Sequence, residues 1–170
     1  MSLKKELVEF ISEEEISAMV DELAKQITDE YRGQQLTLVC PLKGSILFMS
    51  DLIKRLNPDT TVNFVHLTSP KGESVKIHLD IQEDITNKNV LIVEEIIDAG
   101  RTLGFLTKRI LASNPRSLKI VTLLDKPARR EYPIQPDFIG RTIDDRFVVG
   151  YGMDSEEYGR NYKNILNYRN

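Results

Sequence analysis

The chain has 170 residues, 41% of them hydrophobic and 29% charged, a size and composition typical of one globular domain with a full core. Its net charge of −3 disfavours a general nucleic-acid binder, because such proteins normally carry a basic surplus. A single cysteine, Cys40, excludes an internal disulfide and fits a reducing compartment. The N-terminus lacks the apolar core of a signal peptide, and no apolar run reaches the roughly 18 residues of a membrane span. We therefore expect a cytoplasmic, single-domain protein with no nucleic-acid or membrane partner.

Helical and strand-like patterns alternate along the chain. Ser12 and Glu15 match a capping box, and the apolar residues that follow recur at helical spacing, which predicts a helix beginning after Ser12. Short polar or glycine- and proline-containing segments separate the later elements. These are a strand at 36–40, a helix at 45–56, strands at 61–67, 75–81 and 90–95, a helix at 101–112, a strand at 117–124 and a final short strand at 147–152.

The order of these elements predicts an α/β fold. Nearly continuous aliphatic strands that alternate with helices are typical of a mostly parallel, twisted sheet with helices on both faces. In such folds, ligands bind beyond the carboxyl ends of the strands. Three of the predicted strands end in polar turns, at 42–44, 94–102 and 125–126. We predict that these turns converge on one site.

The stretch VLIVEEIIDAGRTL (90–103) carries the clearest functional pattern. Adjacent Glu94 and Glu95 at the end of a buried strand are costly unless a cation or polar ligand offsets their charge. The segment 98–102 joins a strand to a helix, so its backbone N–H groups can converge on a phosphate; Gly100 permits close approach and Thr102 supplies a hydroxyl. The stretch matches neither the dinucleotide fingerprint nor the P-loop. Because carboxylates suit both sugar hydroxyls and Mg²⁺, the pattern indicates a ribose 5-phosphate site.

This stretch resembles the phosphoribosyl-pyrophosphate motif of the type I phosphoribosyltransferases. PLKGS (41–45) resembles the pyrophosphate loop of the purine-salvage branch, LLDKPARR (123–130) its base-recognition segment, and DFIG…DRFVVGYGMDSEEYGRN (137–161) its C-terminal hood. By these four motifs in order, over about residues 10–162, the chain is identified as a member of the 6-oxopurine branch of that family.

The resemblance implies a fold and an activity. The fold would be the type I phosphoribosyltransferase sheet plus a small C-terminal hood, as one domain over 1–170 with hood elements from 1–15 and 126–170. The activity would be Mg²⁺-dependent transfer of the 5-phosphoribosyl group from 5-phosphoribosyl 1-pyrophosphate (PRPP) to hypoxanthine or guanine, giving IMP or GMP and pyrophosphate. The resemblance also implies a homodimer or homotetramer.

Residue roles follow from the same resemblance. Asp98 would be the general acid/base near N7 of the purine, Lys126 would donate to its 6-oxo group, and Phe147 would stack on it. Lys43 would meet pyrophosphate from a turn that in this family often contains a non-proline cis peptide. The implied sets are Glu94, Glu95, Ile96, Ile97, Asp98, Ala99, Gly100, Arg101 and Thr102 for ribose and phosphate; Leu42, Lys43, Gly44 and Arg160 for pyrophosphate; Lys126, Arg146, Phe147 and Val148 for the purine; and Glu94, Glu95 and Asp154 for Mg²⁺.

Two departures from the family pattern stand out. Glu95 replaces the usual Asp, and the lid reads Ser69-Pro70 where Ser-Tyr is usual, which predicts incomplete closure and a leak of PRPP to hydrolysis. Two alternatives remain at this stage. One is a nucleotide-sensing regulator that binds RNA on the same fold, although the acidic balance weighs against it; the other is an enzyme that prefers xanthine.

Overall fold

The computed structural model describes residues 6–69 and 74–169, which form two sheets and three α-helices. The elements in chain order are β1 (Leu7–Ile11), α1 (Glu13–Glu30), β2 (Leu36–Leu42), α2 (Ile46–Ile53), β3 (Thr60–Thr68), β4 (Lys76–Leu79), β5 (Asn89–Ile97), α3 (Arg101–Leu111), β6 (Ser117–Asp125), a 3-10 turn (Pro127–Arg129), β7 (Phe138–Thr142), β8 (Val148–Val149) and β9 (Ile165–Tyr168).

The main sheet confirms the predicted architecture. Its six strands lie in the order β4-β3-β2-β5-β6-β7, and all neighbours are parallel except β4, which pairs antiparallel with β3 at one edge. Helices α1 and α2 pack on one face, and α3 packs on the other. The sheet is thus mostly parallel and covered on both faces, as a βαβ connectivity requires.

Strand β5 shows why the central strands read as unbroken aliphatic runs. Leu91 and Val93 point into the cluster shared with α1 and α2, whereas Val90 and Ile92 point into the cluster shared with α3. All four have no exposed surface. Because successive side chains of a strand point to opposite faces, a strand buried on both faces has no room for alternating polar residues.

Helix α1 begins as the sequence predicts. The backbone N–H of Glu15 donates to Ser12 Oγ at 3.2 Å, and the N–H of Ser12 donates to Glu15 Oε2 at 2.9 Å, which completes the capping box. The helix then buries one stripe of side chains against the sheet. That stripe consists of Ile16, Val20, Leu23, Ala24 and Ile27.

Several element boundaries differ from the sequence prediction, most by one or two residues. Strand β5 runs to Ile97 instead of residue 95, so Glu94 and Glu95 lie inside the strand rather than in the turn. Strand β2 continues through Pro41 and Leu42, which pair with Val65 and His66 of β3, so these two residues belong to the strand rather than to a turn. Helix α2 ends at Ile53 instead of residue 56, and the N–H groups of Arg55 and Leu56 then donate three residues back, to the carbonyls of Leu52 and Ile53, as in a turn. Cys40, at the centre of β2, is fully buried, and burial raises the pKa of its thiol to about 11.

A second, antiparallel sheet of order β1-β9-β8 forms what we call the hood sheet. The predicted strand at 147–152 is wrong beyond Val149, because Gly150, Tyr151 and Gly152 take φ values of +107°, +48° and +93° and turn the chain. The sequence analysis missed β1 and β9, whose pairing joins the two ends of the described chain. It also missed β7, which lies within the segment 126–170 expected for the hood but extends the main sheet beside β6.

Candidate active site

The three polar turns predicted to converge do so at one edge of the main sheet. Strands β2, β5 and β6 are consecutive neighbours and run parallel, so their carboxyl ends meet. A cavity of about 760 Å³ opens there. Among the described residues, its walls come from the ends of β2, β3 and β5, the start of α3, and the two connections that follow β6 and β8. The lining residues are Pro41–Gly44, Leu67, Ser69, Glu94–Leu103, Arg129, Glu131, Asp154 and Arg160.

Glu94 and Glu95 form an acidic pair at the cavity wall. Their carboxyl groups lie deep enough that burial raises the pKa of Glu94 well above its usual range, and the charge of Glu95 raises it further. Burial also raises the pKa of Glu95, against the hydrogen bond from Glu94 and the charge of Arg160. Glu95 Oε2 is buried without a hydrogen-bond partner among the described residues. Burial and the neighbouring charge disfavour two full charges on this pair, and a bound cation or hydrogen-bond donor would favour them.

Two glycines allow backbone to pack directly on this pair. A Cβ at Gly44 would overlap the carboxylate of Glu95, and a Cβ at Gly152 would overlap the carbonyl oxygen of Gly44. The loop after β8, the turn after β2 and the acid on β5 therefore form a column with no side chain between its layers. Gly152 also has a φ of +93°, which L side chains rarely adopt.

The segment from Asp98 to Thr102 has the form expected of a phosphate loop. Gly100 takes a φ of +81° and starts α3, whose first N–H groups have no partner within the helix. The carbonyl of Ala99 accepts hydrogen bonds from the N–H groups of Glu131, at 3.0 Å, and Tyr132, at 3.2 Å. The chain after β6 therefore braces the loop from outside and leaves its other side toward the cavity.

Asp98 is held by two arginines to which the sequence analysis gave no role of their own. Arg129 Nε donates to Asp98 Oδ1 at 3.1 Å and lies 3.7 Å from Asp145 Oδ1. Arg130 donates to the carbonyl oxygen of Asp98 at 2.6 Å and also pairs with the carboxylate of Asp125, a pair that is nearly buried. Side chain and backbone of Asp98 are thus fixed separately.

The predicted pyrophosphate residues meet at the mouth of the cavity. The Leu42–Lys43 peptide bond is cis, as the resemblance implied. Arg160 Nη2 lies 2.9 Å from Asp154 Oδ1, and Arg160 Nη1 donates to the carbonyl of Gly152 at 2.8 Å. Lys43 Nζ lies 2.7 Å from Glu157 Oε2, and Arg160 Nη2 lies 3.3 Å from Glu157 Oε1. The sequence analysis did not name Glu157, because the contact joins positions 114 residues apart.

The predicted purine residues lie nearby but do not line this cavity as it is described. Lys126 is buried directly after β6, and its N–H donates to the carbonyl of Ile97 at 3.0 Å. Phe147 is half exposed and stacks on Tyr168 of β9, with ring centroids 5.5 Å apart. Val148 is buried in β8.

Arg146, predicted to bind the purine, and Ile97, predicted to bind ribose and phosphate, make other contacts in the structure. Arg146 pairs with Asp144 at 2.6 Å and lies over the ring of Phe10, 4.2 Å from its centroid. Ile97 packs in the core against α3, with 2% of its surface exposed, whereas Ile96 is more open to the cavity. Ser69 lines the cavity, but residues 70–73 of the lid, which was predicted over 69–74, lie outside the described residues.

The acids present fit Mg²⁺. This ion is held in proteins by one or two carboxylates and takes its remaining ligands from substrate oxygens and water. The buried, unpartnered Oε2 of Glu95 beside Glu94 offers such a ligand atom, whereas Asp154 is already paired with Arg160 and accepts a hydrogen bond from the N–H of Glu157. Over residues 6–69 and 74–169, no three or more acidic, histidine or cysteine side chains gather as a complete metal site.

Within the same ranges, no helix is long and apolar enough to cross a membrane.

Comparison with known proteins defines the class. The model of the phosphoribosyl transferase domain family matches residues 10–156. A hypoxanthine-guanine phosphoribosyltransferase of Staphylococcus aureus is 43% identical over 156 residues, 89% of this chain and 87% of the relative. The corresponding protein of Staphylococcus epidermidis is 41% identical with the same coverage. The crystal structure of a hypoxanthine-guanine phosphoribosyltransferase from Bacillus anthracis matches with a TM-score of 0.92 and 40% identity, covering 95% of this chain and 98% of that chain.

The chain therefore belongs to the phosphoribosyltransferase family, in the hypoxanthine-guanine branch that these relatives represent. Fold, family and motif order agree with the sequence prediction. Neither of the two alternatives, an RNA-binding regulator or a xanthine-preferring enzyme, receives support from these relatives.

Proposed function

We propose that this chain transfers the 5-phosphoribosyl group from PRPP to hypoxanthine or guanine, yielding IMP or GMP and pyrophosphate, with Mg²⁺ as cofactor. The observation that carries the proposal is the meeting of three turns, after β2, β5 and β6, around one cavity that contains an acidic pair and a phosphate loop. One phosphate, one diol and one pyrophosphate are the groups that PRPP presents, and each has a counterpart there.

The ribose phosphate would bind between β5 and α3. Backbone N–H groups from Ala99 to Thr102 and the hydroxyl of Thr102 would hold the 5′-phosphate at the start of α3, where the helix dipole favours an anion. Glu94 and Glu95 would accept hydrogen bonds from the ribose hydroxyls and hold Mg²⁺. The bound ion would neutralise charge on the pyrophosphate leaving group.

Departure of pyrophosphate would be assisted by fixed cations. Breaking the bond between C1 of the ribose and pyrophosphate leaves positive charge on the sugar and negative charge on the leaving group. Lys43 and Arg160, with Asp154 as a further Mg²⁺ ligand, would stabilise that negative charge as it develops. Asp98, near N7 of the purine, would remove the proton that the base loses as its new bond to ribose forms.

The purine would be selected by hydrogen bonds at its edge. The lysine ammonium only donates, so Lys126 suits the 6-oxo group of hypoxanthine and guanine and opposes the 6-amino group of adenine, which is also a donor. Phe147 would stack on the ring, and Val148 would offer backbone groups to its edge, with Arg146 close by.

We also propose that the protein is located in the cytoplasm and assembles as a homodimer or homotetramer.

A spectrophotometric assay with PRPP and Mg²⁺ tests the proposal, with hypoxanthine, guanine, xanthine and adenine compared in parallel. We expect turnover with hypoxanthine, guanine or both, little with adenine, and loss of turnover with EDTA that added Mg²⁺ restores. Absence of turnover with every base, or turnover with xanthine alone, would contradict it.

A further inference from the structure

Glu157 occupies the two cations assigned to pyrophosphate. One of its carboxylate oxygens lies 2.7 Å from Lys43 Nζ, and the other lies 3.3 Å from Arg160 Nη2. The hydrogen bond from Lys43 has the largest effect on the pKa of Glu157 and lowers it. The charges of Lys43 and Arg160 lower this pKa further, so the side chain is an anion at neutral pH. A single carboxylate therefore bridges a cation from the turn after β2 and a cation from the hood.

The local backbone delivers Glu157 to this position. Glu156 and Glu157 take φ values of +54° and +71°, and consecutive non-glycine residues in the left-handed region are uncommon. Ser155 and Tyr158 close the turn by exchanging backbone hydrogen bonds of 2.9 and 3.0 Å, and the N–H of Glu157 donates to Asp154 Oδ2 at 2.8 Å. The turn thus links the acid that bridges the cations to a predicted Mg²⁺ ligand.

The ion pair between Lys43 and Glu157 is exposed to solvent, so another anion can replace Glu157. More than half of the side-chain surface of both Lys43 and Glu157 is exposed, and ion pairs between exposed side chains are weak. Pyrophosphate carries more negative charge than one carboxylate and has oxygens for both cations at once, so it would compete effectively with Glu157 for them.

We propose that Glu157 is an internal competitor of pyrophosphate, which occupies Lys43 and Arg160 when the subsite is empty and returns to them as pyrophosphate leaves. This inference rests on the proposed function, because that function assigns the two cations to pyrophosphate. It gives Glu157 a defined effect, which is to weaken the binding of PRPP and pyrophosphate without touching the purine.

The test is Glu157→Gln, which keeps the size of the side chain and removes its charge, with Glu156→Gln as the matched control on the adjacent exposed acid. Binding of inorganic pyrophosphate is measured by calorimetry in the presence of Mg²⁺. We expect Glu157→Gln to lower the Kd for pyrophosphate about three- to tenfold, the scale of losing one or two exposed ion pairs, and Glu156→Gln to change it less than about twofold. High salt should reduce the difference in pyrophosphate Kd between Glu157→Gln and the wild-type protein, because exposed charges are screened.

Steady-state kinetics supply a second readout. The KM for PRPP should fall together with the pyrophosphate Kd in Glu157→Gln, while the KM for hypoxanthine stays unchanged. Weaker pyrophosphate binding in this variant would mean that Glu157 orients the cations instead, and unchanged binding would mean that it does not compete; either result overturns the inference. A wild-type protein that binds pyrophosphate but transfers the 5-phosphoribosyl group to no purine would overturn the proposed function, while the calorimetry on Glu157→Gln would still decide whether Glu157 competes with pyrophosphate.

Discussion

Arg129 Nε lies 3.1 Å from Asp98 Oδ1, so the residue proposed as general acid/base is held by a side chain from the connection after β6. About half of each side chain in this pair is exposed. The carboxylate therefore remains accessible to a base that enters the cavity, and the arginine opposes its rotation away from the site.

Replacing Asp98 should stop the chemistry and leave binding intact. Asp98→Asn keeps the shape of the side chain but cannot take a proton, so we expect kcat to fall about 10²-fold or more while the Kd for PRPP stays within about threefold. Asp145→Asn is a matched control, because Asp145 also faces Arg129, at 3.7 Å. Near-normal turnover by Asp98→Asn would remove Asp98 from the mechanism.

Replacing Lys126 should affect the purine alone. Lys126→Met keeps the length and loses the donor, so a charge-assisted hydrogen bond worth about 1.5–3 kcal/mol is lost. The KM for hypoxanthine should rise tens-fold with little change in the KM for PRPP, whereas Lys163→Met, at an exposed site, should change neither. If both constants rose together in Lys126→Met, the lysine would support the structure rather than bind the base.

Tyr168 should fix the plane of the Phe147 ring. Their rings stack with an interplanar angle of 25°, and an aromatic pair of this kind is worth about 0.5–1.5 kcal/mol. We expect Tyr168→Ala to raise the KM for hypoxanthine about two- to tenfold with kcat and the KM for PRPP unchanged. Tyr168→Phe retains the ring and should behave as wild type; a defect there would point to the hydroxyl, which lies 3.5 Å from Ser155 Oγ.

The Arg130–Asp125 pair should matter for stability. Only 14% and 8% of their side-chain surfaces are exposed, so Arg130→Met leaves a buried carboxylate without its partner. Such a loss costs about 3–5 kcal/mol, which urea unfolding followed by circular dichroism would detect. Arg129→Met removes a half-exposed pair, and solvent screens such a pair, so the urea midpoint should change little. Equal losses in the two variants would contradict this account.

The central sheet was predictable because its information is local. Strands β2, β5 and β6 are continuous aliphatic runs that end in polar turns, so both their burial and the place of the site follow from short stretches of sequence. The acidic pair was visible for the same reason, since two carboxylates at the end of such a run need an external explanation.

The remaining features depend on pairings that no local pattern encodes. Strand β1 pairs with β9 from the far end of the chain, and each is short with mixed burial, so neither has a clear strand period. Arg129 and Glu157 have ordinary surface composition, and their significance arises from partners 31 and 114 residues away. Two adjacent arginines shortly after Lys126 were the available signal for the first of these contacts.

The column formed by Gly152, Gly44 and Glu95 has no free space between the loop after β8 and the acidic pair Glu94–Glu95. Backbone meets backbone at one level and backbone meets carboxylate at the next, so a shift of the loop after β8 toward the sheet must press the turn after β2 onto Glu95. The position of the loop after β8 is therefore coupled to that of the acid through the turn after β2. Even one added methyl group, as in Gly152→Ala, would overlap the carbonyl oxygen of Gly44 and force the loop and the turn apart.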